Sequence, residues 1–174
     1  MKVILYQTNF GTSERYAKTL SEKTGLPYQA LKDADVPAGS EVILIAPILS
    51  NELQGLSQAR QRGLTLLAVG AVGLFSVTEP VEEMQEKLKV HEPLFLLPGA
   101  FDPHKVKGVF RMMIGMVKHT LKSKSTGSEA EQKALDFFDS GADLFDEAAL
   151  DALIDCLHGI PCAESEPEGE AASQ

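Results

Sequence analysis

Val3-Ile4-Leu5-Tyr6-Gln7-Thr8-Asn9-Phe10-Gly11-Thr12-Ser13-Glu14-Arg15-Tyr16-Ala17-Lys18-Thr19-Leu20 is the stretch on which the fold assignment turns. Val3–Tyr6 is a short apolar run that stops at a polar, Gly-containing turn, as a buried strand does. From Thr12 the period changes. Tyr16, Ala17 and Leu20 recur at helical spacing through Thr12–Lys23, Glu14 stands in the first turn, and Gly25 supplies the stop. Strand, polar loop and helix in that order predict a parallel sheet covered by helices.

The rest of the chain extends this pattern. Glu41–Ala46 is the clearest buried strand, and Pro27–Leu31 reads as another. Lys32–Ser40 is too short and too marked by Pro and Gly for a full helix, so it forms one turn, or Pro27–Leu31 pairs at a sheet edge. Leu56–Gly63 begins a helix, and a strand is expected near Ala71–Val77. Glu79–Val90 reads as a charged helix, with Pro80 in its first turn and Val81, Met84 and Leu88 on one face. Pro93–Leu97 is a strand ended by Pro98-Gly99. A polar link over Ser123–Gln132 precedes a last helix at Phe145–Leu157, with Leu150, Leu153, Ile154 and Leu157 inward. No internal repeat is visible. Strands alternating with helices give the α/β class, with a mostly parallel sheet covered on both faces.

The 174 residues suit one domain. The net charge of −9 is uneven: four Glu in Ala163–Gln174 and a +6 stretch at Pro103–Lys124 leave −11 on everything else. An acidic body argues against nucleic acid, which needs a basic surface. Cys156 and Cys162 are too few for a disulfide framework, their spacing matches no zinc pattern, and no metal is expected. Free thiols fit a reducing cytoplasm. Met1–Tyr6 falls far short of a secretory apolar segment, and no apolar run approaches the ~20 residues that span a bilayer. The acidic tail, residues 161–174, is expected to be disordered.

Thr8-Asn9-Phe10-Gly11-Thr12-Ser13 lies between the first strand and its helix. In an open parallel sheet ligands bind beyond the carboxyl ends of the strands. A helix N-terminus there offers free N–H groups and a positive dipole end. Three hydroxyls and an amide around a Gly can satisfy a phosphate without Lys or Arg. That excludes the Gly-Lys-Ser/Thr loop of the nucleotide triphosphatases and the three-glycine dinucleotide fingerprint. A simple helix cap by Thr12 or Ser13 is the competing reading.

The loop resembles the FMN-phosphate loop of flavodoxins. A narrower resemblance lies in Pro98-Gly99-Ala100-Phe101, followed by Val109–Lys122 and a polar link before the last helix. That order is similar to the flavodoxin-type, menaquinone-dependent protoporphyrinogen dehydrogenases, FMN enzymes with a helical insertion after the fifth strand. The resemblance implies a flavodoxin-like three-layer fold over residues 1–160, with a five-stranded parallel sheet in the order 2-1-3-4-5 and an insertion at 102–135. It implies FMN as cofactor, its phosphate held by Thr8, Asn9, Phe10, Gly11, Thr12 and Ser13. Pro47-Ile48-Leu49-Ser50-Asn51 would flank one side of the isoalloxazine ring and Ser76-Val77-Thr78 the other. The chain has no Trp and neither loop carries Tyr or Phe, so Phe10 and Phe101 are the rings left to touch a flavin. His104 is either a substrate contact or a turn residue.

Lys105–Lys122 places Val106, Val109, Phe110, Met113, Met116, Val117 and Leu121 near one face at helical spacing, with Lys105, Lys107, Arg111, Lys118 and Lys122 largely elsewhere. Such a face packs on the domain, lies in an anionic membrane surface, or docks a partner through its methionines. Three functions remain in view. One is an FMN-dependent oxidoreductase passing electrons from a reduced substrate to a quinone at the inner face of the membrane. Another is a flavodoxin-type electron carrier serving a redox partner protein. The third is a flavin-free interaction domain. No side-chain catalyst is expected in the redox readings, because the cofactor carries the chemistry.

Overall fold

In a computed structural model of the chain, residues 2–73, 80–124 and 129–159 are described. Five parallel strands form the main sheet: β1 (Lys2–Tyr6), β2 (Tyr28–Ala30), β3 (Glu41–Leu49), β5 (Thr65–Gly73) and β6 (Leu94–Pro98), in the order β2-β1-β3-β5-β6. A sixth, two-residue strand, β4 (Glu52–Leu53), pairs antiparallel with the end of β3. The expected strand order did not allow for it. Ser50 and Asn51 form the two-residue turn between them, with φ of 52° and 61°. Two left-handed residues are the pattern of a type I′ hairpin, whose twist matches that of its strands.

Alternation along the strands builds two cores. Val3, Leu5, Val42, Leu44, Val69 and Ala71 face Leu56 and Ala59 of α2 (Leu56–Gln61) and Leu88 of α3 (Val81–Leu88). Ile4, Ile43, Ile45, Ala68 and Val72 face Tyr16, Ala17 and Leu20 of α1 (Thr12–Thr24) and Leu153 of α6 (Asp151–Leu157). The result is a sheet between two helical layers, the arrangement that buries both faces of parallel strands. α1 ends at Gly25, left-handed at φ 73°, whose N–H donates to Ser21 O at 2.8 Å.

Several boundaries differ from expectation. β5 starts at Thr65 rather than near Ala71, because Glu41 and Val42 already pair with Thr65 and Leu66. Lys32–Ser40 holds one 3₁₀ turn, at Leu31–Asp33, and β2 is an edge strand. The last helix starts late: Asp146 caps a 3₁₀ turn at Glu147–Leu150 by accepting from the Ala148 N–H at 2.9 Å, and α6 follows.

A helical hairpin rises between β6 and α6. Its root is a small antiparallel sheet of β7 (Ala100–Phe101) and β8 (Ala142–Asp143). Its arms are α4 (Gly108–Lys124) and α5 (Glu129–Ser140). The expected polar link Ser123–Gln132 is thus interrupted by α5, which buries Leu135 and Phe138. The apolar face expected on Lys105–Lys122 does not stay together. Val106 precedes α4 and is buried with Phe101 and Phe138, whereas Val109, Met116 and Val117 face solvent at 72, 58 and 40 % exposure, together with Met112 at 63 %, a residue outside the expected face. α5 and the hairpin root lie on the opposite side of α4, against Ile114 and Lys118.

Candidate functional site

After β1 the chain must turn sharply into α1. The Gln7 N–H donates to Ile45 O at 3.0 Å, which ties the loop to β3. Thr8 Oγ1 then accepts from the Gly11 N–H at 2.8 Å. Gly11 itself is left-handed at φ 91°, a conformation that favours Gly. It stands at the cap position, where it offers no side-chain oxygen, and the first helical bond runs from the Arg15 N–H to Gly11 O at 3.0 Å. The N–H groups of Thr12, Ser13 and Glu14 therefore lack partners within the helix. The simple-cap reading fails on this geometry, because neither Thr12 nor Ser13 caps α1.

Ser13 is 1 % exposed and its hydroxyl has no hydrogen-bond partner among the described residues. A buried polar group without a partner costs about 1–3 kcal/mol, so such groups mark places where something else binds. Thr12 is also buried, and its hydroxyl makes only a long contact of 3.4 Å to Ala100 O.

These residues line a small cavity of about 50 Å³ at the carboxyl ends of β1, β3, β5 and β6. The chain leaves β1 toward β2 on one side and returns as β3 on the other, so the cavity lies at the topological switch point. Thr8, Asn9, Phe10, Thr12, Ser13, Pro47, Ile48 and Leu49 all line it. Gly11 shapes the turn without lining this cavity. Ser50 and Asn51 do not line it either: β3 runs on to Leu49, and they form the exposed tip of the hairpin. Ser76, Val77 and Thr78 lie outside the described residues. The sequence reading missed Val72 and Gly73 at the end of β5, and Gly99 and Ala100 after β6. Placing the β5 strand too late concealed the first two, although Gly73 and Gly99 both mark strand ends.

Phe10, which lines the cavity, also reaches the helical hairpin. Its ring meets Phe101 edge-on at 6.1 Å, and Phe101 stacks on Phe137 at 5.4 Å and meets Phe138 at 5.8 Å. The loop is thus joined to the root of the helical hairpin. Arg15 strengthens the junction, pairing with Asp143 at 2.9 Å and lying 3.7 Å over the Phe145 ring. The Arg15 hydrogen bond holds the Asp143 carboxyl below its usual range. One turn along α1, the buried Tyr16 hydroxyl donates to Pro98 O at 2.7 Å and accepts from the Asp146 N–H at 3.0 Å. Burial pushes its phenol above the ordinary value.

Beside the cavity lies a wider groove of about 440 Å³, sharing Phe10, Thr12 and Ala100 with it and walled by Arg15, Asp102, Lys105 and Asp143. Lys105 lies 3.8 Å from Asp102, so both cations of this groove already have acidic neighbours. Among the described residues the inner cavity offers neutral donors and a helix N-terminus, without Lys or Arg. That donor set suits an oxyanion. No group of metal-ligating side chains is found among the described residues, and no described helix is long and apolar enough to cross a membrane.

No family model and no curated protein matches the chain. Among solved structures, an adenine phosphoribosyltransferase aligns at 17 % identity over 55 % of this chain, which spans 65 % of that enzyme, with a TM-score of 0.34. A TM-score of that size assigns neither fold nor function.

Proposed function

We propose that the chain is a flavodoxin-like domain that binds a phosphorylated cofactor of the FMN type at the head of α1. The observation that carries this reading is the Ser13 hydroxyl, buried, without a partner among the described residues, at the N-terminus of α1 and lining a cavity at the switch point of the sheet. The phosphate end fits the residues present. The hydroxyls of Thr8, Thr12 and Ser13, the Asn9 amide and the first-turn N–H groups would hold it, and the dipole of α1 favours its charge. Ile48 and Leu49 offer an apolar wall, and Phe10 is the ring among the described lining residues. FMN, when bound, supplies one- and two-electron transfer. This chain's residues would anchor it, keep water from the phosphate and leave the redox step to the cofactor.

The favoured activity is a quinone-linked oxidoreductase of the protoporphyrinogen dehydrogenase type. The outward stripe of Val109, Met112 and Met116, on a segment rich in Lys and Arg, supports a peripheral contact with an anionic membrane. The same stripe equally supports a carrier or a flavin-free domain that docks a protein partner. Titration with FMN and with riboflavin tests the anchor, because riboflavin lacks only the phosphate. Flavin fluorescence should be quenched by the protein with FMN at least about tenfold tighter than riboflavin, the worth of a charge-assisted contact. Equal affinity, or none for either, would remove the phosphate site and with it the redox readings.

A further inference from the structure

The face of α4 opposite its outward stripe borders a groove of about 440 Å³ that the phosphate site does not use. Its apolar floor is Phe101, Val106 and Phe138, each buried, with Ile114 on the wall. Its rim carries three basic residues, His104, Arg111 and Lys118, and no carboxylate lines it among the described residues. Lys118 is held by Asp139 of α5 at 2.6 Å, whereas Arg111 has no ion-pair partner among the described residues.

Gly115 makes this groove more than an accident of packing. It stands in the middle of α4, where Gly weakens a helix, and its φ is not left-handed. A Cβ built there meets nothing within 4 Å, so no close approach requires Gly either. Gly115 lines the groove with no side chain to fill it. Its volume falls in the range of small-molecule sites, which combine apolar walls with a few polar groups.

We propose that this groove binds an organic anion with one charged head and an apolar body, such as a long-chain or aryl carboxylate or sulfonate. The body lies on Phe101, Val106 and Phe138, and the head meets Arg111. The site does not depend on flavin binding.

The probe is 1-anilinonaphthalene-8-sulfonate, with N-phenyl-1-naphthylamine as its uncharged counterpart, titrated into the full chain and followed by fluorescence. The wild type should bind both saturably at one site. Arg111→Glu should weaken the sulfonate about tenfold while changing the neutral probe less than about twofold. Gly115→Leu should abolish both at an unchanged or higher melting temperature, since it fills the groove and favours the helix. Three results would overturn the proposal: no saturable binding by the wild type; unchanged sulfonate affinity in Gly115→Leu, which would place the probe on the outward stripe where Met112→Gln removes it; or equal losses of both probes in Arg111→Glu.

Discussion

At the residue scale, two buried hydroxyls one helical turn apart are treated in opposite ways. Tyr16 has a donor and an acceptor partner, and Ser13 has neither among the described residues. Removing each should therefore change stability with opposite sign. Ser13→Ala deletes an unsatisfied group and should stabilise the ligand-free chain, by up to about 1 kcal/mol in urea unfolding, while weakening FMN binding about tenfold or more. Loss of stability with binding intact would mean that the hydroxyl is structural. Tyr16→Phe leaves the Pro98 carbonyl and the Asp146 N–H unpaired and should cost about 1–3 kcal/mol. Tyr16 also predicts an alkaline weakness. Its folded-state value is raised above the unfolded 10.0, so its contribution is complete below pH 10.0 and is lost as the pH rises through the folded value. The fall of melting temperature with alkaline pH should be shallower in Tyr16→Phe than in wild type.

At the element scale, the strands and helices whose period is long and clean were legible: β1, α1, β3 and α3 stand close to where alternation and helical spacing put them. What failed were junctions. Leu64–Phe75 is largely apolar and punctuated by Gly, and only pairing with β3 sets where β5 begins. α5 escaped because its polar start resembles a link, although Leu135 and Phe138 stand three apart and Gly141 follows as a stop. From sequence Ser50 and Asn51 read as a ligand loop, because nothing local reveals a hairpin until Leu49 is seen to pair with Glu52. The α5 stop carries its own prediction. Gly141 is left-handed at φ 75°, and a Cβ there would stand 2.5 Å from the Phe101 carbonyl oxygen. Gly141→Ala should cost more than the about 1–2 kcal/mol of left-handed strain alone, with protection lost first in residues 129–143 by hydrogen exchange. Unchanged exchange there would contradict the packing of the hairpin root.

At the scale of the molecule, contacts run from the loop and first turn of α1 to the root of the hairpin: Thr12 on Ala100, Phe10 on Phe101 and Arg15 on Asp143. A ligand that orders the loop should therefore order the hairpin root. FMN should slow amide exchange in residues 100–106 and 135–143 of the wild type, and Phe10→Ala should uncouple that slowing from binding. Exchange slowed only at the loop itself would show the two parts to be independent. The sheet, the switch point and the half of the site on β1 and β3 could be seen from the sequence. The half on β5 and β6 could not, since it depends on where parallel strands end side by side.

The central claim is that the head of α1 holds a phosphate. Its most direct test is the absorption spectrum of the full chain after incubation with FMN and removal of the excess. Retained flavin absorbance in the wild type, lost in a folded Thr12→Ala/Ser13→Ala variant, is the predicted result. A colourless wild type, or equal flavin in both proteins, would contradict it.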